Sequence, residues 1–202
     1  IAGRLNGTIS YQYCYNTGTI KGAGGHIAGI FSSGSGTITI DHCYNLGNIE
    51  SGAGATKVDL CGISRHNVTS CFNAGTIIQR SDCYSDAAIY AVTPSASNGA
   101  GCFNAGDMYS NFTNANAFVD NGTNKTSHYN IARIHGLTSV VGGAYYDPKR
   151  VHSYTRAGSN GASRTTAQMT AAGFMSSDYW VCEAGYYPRV KGLDTLTISK
   201  AL

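Results

Sequence analysis

The chain has 202 residues, about the size of one domain, and only 12% are Asp, Glu, Lys or Arg, against about 25% in an average globular protein. The formal charge of +3 is too small and too dispersed to argue for nucleic acid as a partner. No apolar run approaches the ~20 residues that would cross a bilayer as a helix, so membrane insertion is not expected.

Gly at 26, Tyr at 14, many Ser, Thr and Asn, and Pro at only 3 favour strands and turns. The Leu, Glu, Lys and Arg that build amphipathic helices are scarce before about residue 162. The chain opens on Ile1 inside a strand-like stretch and without Met, which reads as a piece processed or excised from a longer protein. Seven Cys without metal-ligand spacing favour an extracellular or cell-surface setting, and their odd number leaves at least one free or paired elsewhere.

In chain order, the first element is Gly7-Thr8-Ile9, followed by Cys14-Tyr15-Asn16-Thr17-Gly18-Thr19-Ile20. The same pair returns as Gly36-Thr37-Ile38 and Cys43-Tyr44-Asn45-Leu46-Gly47-Asn48-Ile49. The Cys box then recurs as Cys71-Phe72-Asn73-Ala74-Gly75-Thr76-Ile77 and Cys102-Phe103-Asn104-Ala105-Gly106-Asp107-Met108, at intervals of 29, 28 and 31 residues. Between the boxes lies a third element, His26-Ile27-Ala28-Gly29-Ile30 and Asp59-Leu60-Cys61-Gly62-Ile63, with a weaker copy at Ala88-Ile89-Tyr90-Ala91-Val92.

About three short strands per unit, separated by Gly, Ser and Asn, predict an all-β fold. It is a β-solenoid of either hand, with about four to five coils and a C-terminal cap containing one short helix. Parallel stacking at about 4.8 Å places like on like. Asn16, Asn45, Asn73 and Asn104 then form an amide ladder. Gly18, Gly47, Gly75 and Gly106 supply a positive φ at the adjoining turn. Tyr15, Tyr44, Phe72 and Phe103 form an aromatic column, and Ile20, Ile49, Ile77 and Met108 an aliphatic one. Strict alternation from Ile40 would point His42 and Tyr44 inward and leave Cys43 outside. A bend near the Cys would reverse that parity, and both arrangements stay open.

These motifs resemble the GLUG repeats of large bacterial and archaeal cell-surface proteins. The resemblance rests on Ala28-Gly29-Ile30, Gly36-Thr37-Ile38 and Cys43-Tyr44-Asn45-Leu46-Gly47-Asn48-Ile49, and covers about Gly7 to Met108. Weaker echoes stand at Ile134-His135-Gly136-Leu137 and Ala144-Tyr145-Tyr146, and the Gly-rich element is degraded around Tyr90. The tail, with Thr165-Thr166-Ala167-Gln168-Met169, Tyr179-Trp180 and Gly185-Tyr186-Tyr187-Pro188-Arg189-Val190, resembles the segment that often closes such arrays. The resemblance implies a surface-attached protein, an adhesin or part of a surface protease, and no chemistry for the repeats themselves.

Three regions follow: repeats over 1–108, an irregular insertion and degenerate last coil over 109–144, and a capping segment with a linker or strand over 145–202. Thr165 to Ser176 is the helix candidate, with Thr165 or Thr166 as N-cap, Gln168 near the capping-box position, and Met169, Ala172 and Phe174 on the buried side. With Trp180, Tyr186, Tyr187 and Val190 it would cover the open end of the solenoid. Leu193 to Ile198 alternates as a final strand or linker.

Among candidate sites, Cys14, Cys43, Cys71 and Cys102 read first as a buried thiol column. Coil spacing also permits Cys14–Cys43 or Cys71–Cys102 bridges, and Cys61–Cys83 is another pairing. No metal or cofactor is expected. The six His lie in no nucleophile or ligand motif, and the 11 acidic residues seldom share a column, so no catalytic pair is expected. Asn6, Asn67, Asn111, Asn121 and Asn124 stand in Asn-x-Ser/Thr sequons and would carry glycans in a host that modifies them. The function expected is a non-catalytic structural or adhesive surface module that meets glycans, other surface proteins or copies of itself. A self-assembling subunit of an extracellular filament or sheath is the first alternative, and an accessory region of a surface protease or glycosidase the next.

Overall fold

The computed structural model describes residues 2–55, 58–80, 89–93, 100–110, 115–116, 129–132, 134–135, 145–146, 163–175 and 177–193. The chain winds into an all-β solenoid whose successive repeats contribute rungs to several parallel ladders. Ile9–Gln12, Ile38–Asp41 and Val68–Thr69 form the first, with Ile9 beside Ile38 and Ile40 beside Val68. Tyr15–Asn16, Tyr44–Asn45, Phe72–Asn73, Phe103–Asn104, Tyr129–Asn130 and Tyr145–Tyr146 form the second. Ile20–Gly22, Ile49–Ser51, Ile77–Ile78, Met108–Tyr109 and Ile134–His135 form the third, and Gly25–Ala28, Val58–Cys61, Ile89–Tyr90 and Ala115–Asn116 the fourth. The Cys box is thus two very short strands joined by a turn at its Gly, where the sequence places a turn. Ile89–Tyr90 takes its place beside Leu60–Cys61, as the weaker third copy predicts.

The coils are about three in number, fewer than the four to five expected. Among the described residues the Gly-Thr-Ile ladder has three strands, extended by a parallel bridge from Thr69 to Ala100. Inside the solenoid, Ile40, Ile49, Leu60, Ile63, Ile77, Ile89 and Met108 are buried. Each such side chain stabilises the fold by roughly 1.5–3 kcal/mol relative to exposure.

The parity question resolves at the residue before each Cys. Tyr13, His42 and Ser70 have φ of 52°, 50° and 51°, and Gly101 has 67°. This left-handed residue breaks the alternation. Ile38 and Ile40 point inward, Cys43 also points inward, and the aromatic ring that follows projects from the outer wall.

That outer wall locates the cap, and the expectation is corrected here. The C-terminal segment lies along the flank of the solenoid, over the aromatic column, and not across an open end. Phe72, Phe103, Tyr129 and Ile131 form a second core with Met169, Met175, Trp180, Tyr187 and Val190. The Trp180 ring tilts onto Tyr129 and Phe103 at centroid distances of 5.2 and 6.2 Å, and Tyr129 Oη donates to the Pro188 carbonyl. A projecting column of large rings leaves apolar surface outside the coil, and the C-terminal segment buries it.

The helix is one turn, Thr166–Met169. It carries the expected capping box, Thr165 Oγ1 accepting from Gln168 N and Gln168 Oε1 accepting from Thr165 N. Met169 is buried, whereas Ala172 is exposed and Phe174 only half-buried, because the helix has ended before them. Of the expected final strand, Leu193 packs against the second core, and residues 194–198 lie outside the described residues.

Candidate functional site

The repeated residues all meet their counterparts. Nδ2 of Asn16 donates to Oδ1 of Asn45, Asn45 to Asn73 and Asn73 to Asn104, each at 2.8 Å, and Asn104 to Asn130 at 2.9 Å. The same nitrogens also donate to the carbonyls of Gly18, Gly47, Gly75 and Gly106 at 2.7 to 3.1 Å. Each amide therefore fixes its own turn and joins two coils, which no other side chain of that size does with one NH2 group. Asn45, Asn73 and Asn104 are fully buried, so they are structural and not displayed to a partner.

The glycines have a different role from the one predicted. Gly18, Gly47, Gly75 and Gly106 do not have positive φ. A Cβ at Gly47, Gly75 or Gly106 would stand 2.1, 2.0 or 2.0 Å from the carbonyl oxygen of the Gly one coil below. Close backbone approach, and not a turn conformation, demands the missing side chain. At Gly18, on the first coil, the nearest atom is 3.9 Å away.

The fifth rung, Tyr129–Asn130, falls within the region expected to hold an irregular insertion and a degenerate last coil, and no motif singles it out there. Its signal was Tyr-Asn with Ile134 five residues after Tyr129, the spacing of Tyr15 to Ile20. The box there lacks both Cys and Gly, with Ala132 at the glycine position. Ala132 N donates to Asn130 Oδ1, where Gly47, Gly75 and Gly106 donate to the Asn carbonyl below. Asn130 Nδ2 is buried without a partner. The regular ladder stops where the glycine does.

The six described cysteines, Cys14, Cys43, Cys61, Cys71, Cys102 and Cys182, are free thiols. Cys83 lies outside the described residues. Each column thiol donates to the carbonyl two residues before it: Cys14 to Gln12, Cys43 to Asp41, Cys71 to Thr69 and Cys102 to Ala100, at 3.0 to 3.4 Å. The Cys thus fills the core beneath the bend and adds a second donor to carbonyls of which those of Asp41, Thr69 and Ala100 already accept a backbone N–H from the neighbouring coil. Burial pushes the thiols of Cys14 and Cys71 up, and that of Cys102 to about 12. Cys43 is lowered to about 7, chiefly because the Cys71 thiol bonds to it. Of the sequons, Asn6 is exposed and accepts from Ser35, Asn67 is half-buried, and Asn111, Asn121 and Asn124 lie outside the described residues.

A groove beside the fourth ladder brings together residues that no motif connects. It measures about 460 Å³ and is lined by His26, Ser33, Gly34, Ser35, Arg65 and His66. His26 and Asp59 occupy the same rung of adjacent coils. The Asp59 carboxylate stands 3.2 Å from His26 Nδ1 and 3.5 Å from Arg65 Nη2. Arg65 Nη1 lies against the His26 ring, and the His66 ring packs on buried Phe31 at 5.2 Å. Burial first, then the Arg65 charge, lowers the pKa of both imidazoles, with Asp59 opposing the shift at His26. Repeat logic finds identical residues that stack, and this groove is made of unlike ones.

The fold and the ladders define a β-solenoid repeat protein. No protein-family model, curated protein or solved structure matches the chain. Among the described residues no helix is long and apolar enough to cross a membrane, and no three His, Cys, Asp or Glu side chains cluster for a metal.

Proposed function

We propose that this chain is a non-catalytic structural or adhesive module of an extracellular or cell-surface protein, a GLUG-like solenoid that meets glycans or other surface proteins. One observation carries the reading: beyond the first coil the repeated side chains are spent on stacking and packing. The Asn amides, Cys thiols and core aliphatics point inward, Phe72, Phe103 and Tyr129 stack under the C-terminal segment, and Gly47, Gly75 and Gly106 admit the next backbone. A motif repeated for stacking supports a scaffold, on which differing outer residues supply any recognition. The test is retention of the folded protein on immobilised polysaccharides and on intact cell envelopes. Passage through every such matrix without delay would exclude adhesion and leave a spacer.

A filament subunit is the second reading, favoured by the first coil. Tyr13, Tyr15 and Leu5 are 60%, 56% and 43% exposed there, and among the described residues no donor meets Asn16 Oδ1 although its ladder continues above it. A further coil would complete that ladder. Electron microscopy of native material distinguishes the readings: fibres with a regular axial repeat support a filament, and isolated short rods at all concentrations exclude it.

A further inference from the structure

The groove beside Asp59 has the make-up of a ligand site, and its lining side chains are not the repeated ones that form the columns. Its volume of about 460 Å³ lies within the roughly 300–1,000 Å³ typical of small-molecule sites. Its polar groups converge from three segments: His26 from one strand, Ser33 and Ser35 from Phe31–Ser35, and Arg65 with His66 from the turn after Ile63. Arg65 is held in place from behind by Asp59 and His26, so its orientation is set before any ligand arrives. Phe31 fixes the His66 ring in the same way.

Charge selects the ligand class. Asp59 offsets Arg65, and both imidazoles are biased toward their neutral form, so the groove is close to neutral overall. Among the described residues that line the groove Arg65 is the one fixed cation, which suits a monoanion better than a dianion such as phosphate. A monoanionic carboxylate suits one guanidinium supported by imidazole N–H groups. The hydroxyls of Ser33 and Ser35 and the imidazoles suit a ring that carries alcohols.

We propose that this groove binds the carboxylate-bearing ring of an acidic saccharide, with Arg65 and His66 taking the carboxylate and Ser33 a ring hydroxyl. This deepens the adhesive reading and rests on it for the ligand's source, a surface polysaccharide.

The experiment titrates the folded chain with glucuronate, glucose, acetate and sulfate while following the histidine ring signals by NMR. Glucuronate is expected to shift the His26 and His66 signals saturably, and at least about tenfold more tightly than glucose or acetate. His66→Phe keeps the ring on Phe31 and should weaken glucuronate about tenfold, and Arg65→Gln more, with thermal melts confirming that each variant is folded. Equal binding of acetate or glucose, tighter binding of sulfate, or no saturable shift would each overturn the proposal. Retention on acidic polysaccharide without glucuronate shifts would end this site and leave the adhesive reading standing. Glucuronate shifts without polysaccharide retention would do the reverse.

Discussion

The side-chain amide of Asn45 donates both to Asn73 Oδ1, 28 residues away, and to the carbonyl of Gly47 in its own turn, at 2.8 and 2.7 Å. Every interior rung repeats this pair of bonds, so removing one amide affects three coils. Asn73→Ala strands the Asn45 donor and the Asn104 acceptor in the core and should cost roughly 3 kcal/mol. Asn16→Ala, at the edge, strands one partner and should cost no more than about 1.5 kcal/mol. Urea unfolding of both variants gives the comparison, and equal costs would refute a load shared along the ladder.

Gly75 and Gly18 occupy the same motif position and should respond differently. Gly75→Ala drives a Cβ into the Gly47 carbonyl and is expected to destabilise by about 1–3 kcal/mol or more. Gly18→Ala meets nothing closer than 3.9 Å and should stay within about 0.5 kcal/mol of the parent. Comparable losses in thermal melts would mean that conformation, and not contact, selects glycine here.

Thiol accessibility should follow position in the column. Cys14 and Cys182, partly exposed, are expected to react first with an aromatic disulfide reagent, while Cys61, Cys71 and Cys102 wait for unfolding. Cys43 ionises more readily than its neighbours, yet it is 0% exposed and should also react slowly. Mass spectrometry of briefly labelled protein reads the order, and early labelling of Cys71 would contradict the packing.

Acidification should weaken the fold through His26 and His66. Both have folded-state pKa values below the ordinary 6.5, so the unfolded chain takes up protons first as pH falls. Their contribution is fully present above the unfolded value and is lost as pH falls through 6.5 toward the lower folded values. Unfolding midpoints at pH 8, 6.5 and 5 should decline in that order, and His26→Asn with His66→Phe should flatten the decline. A midpoint that rises on acidification would reverse the assignment.

Trp180 reports on the flank. Trp180→Ala leaves a cavity against Phe103 and Tyr129 and should cost about 3–5 kcal/mol while raising the binding of a hydrophobic dye. An unchanged dye signal would argue that the C-terminal segment sits elsewhere.

The columns were legible because stacking imposes identity: Asn16, Asn45, Asn73 and Asn104 match in sequence because they touch in space. Three features were not. His42 has φ of 50° without being Gly or Asn, and the bend it makes decides which face Cys43 takes. The cap was assigned to an end because exposed strand edges suggest one, whereas the outward rings of Phe72 and Phe103 become evident only once that parity is known. The groove joins His26 to Arg65, 39 residues apart and of different chemistry, through a register that no periodicity reveals.

The intervals between successive ladder amides are 29, 28, 31 and 26 residues, yet their hydrogen bonds differ by only 0.1 Å. Axial rise is therefore independent of how much chain each coil contains. Extra residues are taken up without changing the spacing of the amides. The molecule behaves as a graduated ruler: its divisions are held by one amide each, and the margins between them are free to diversify.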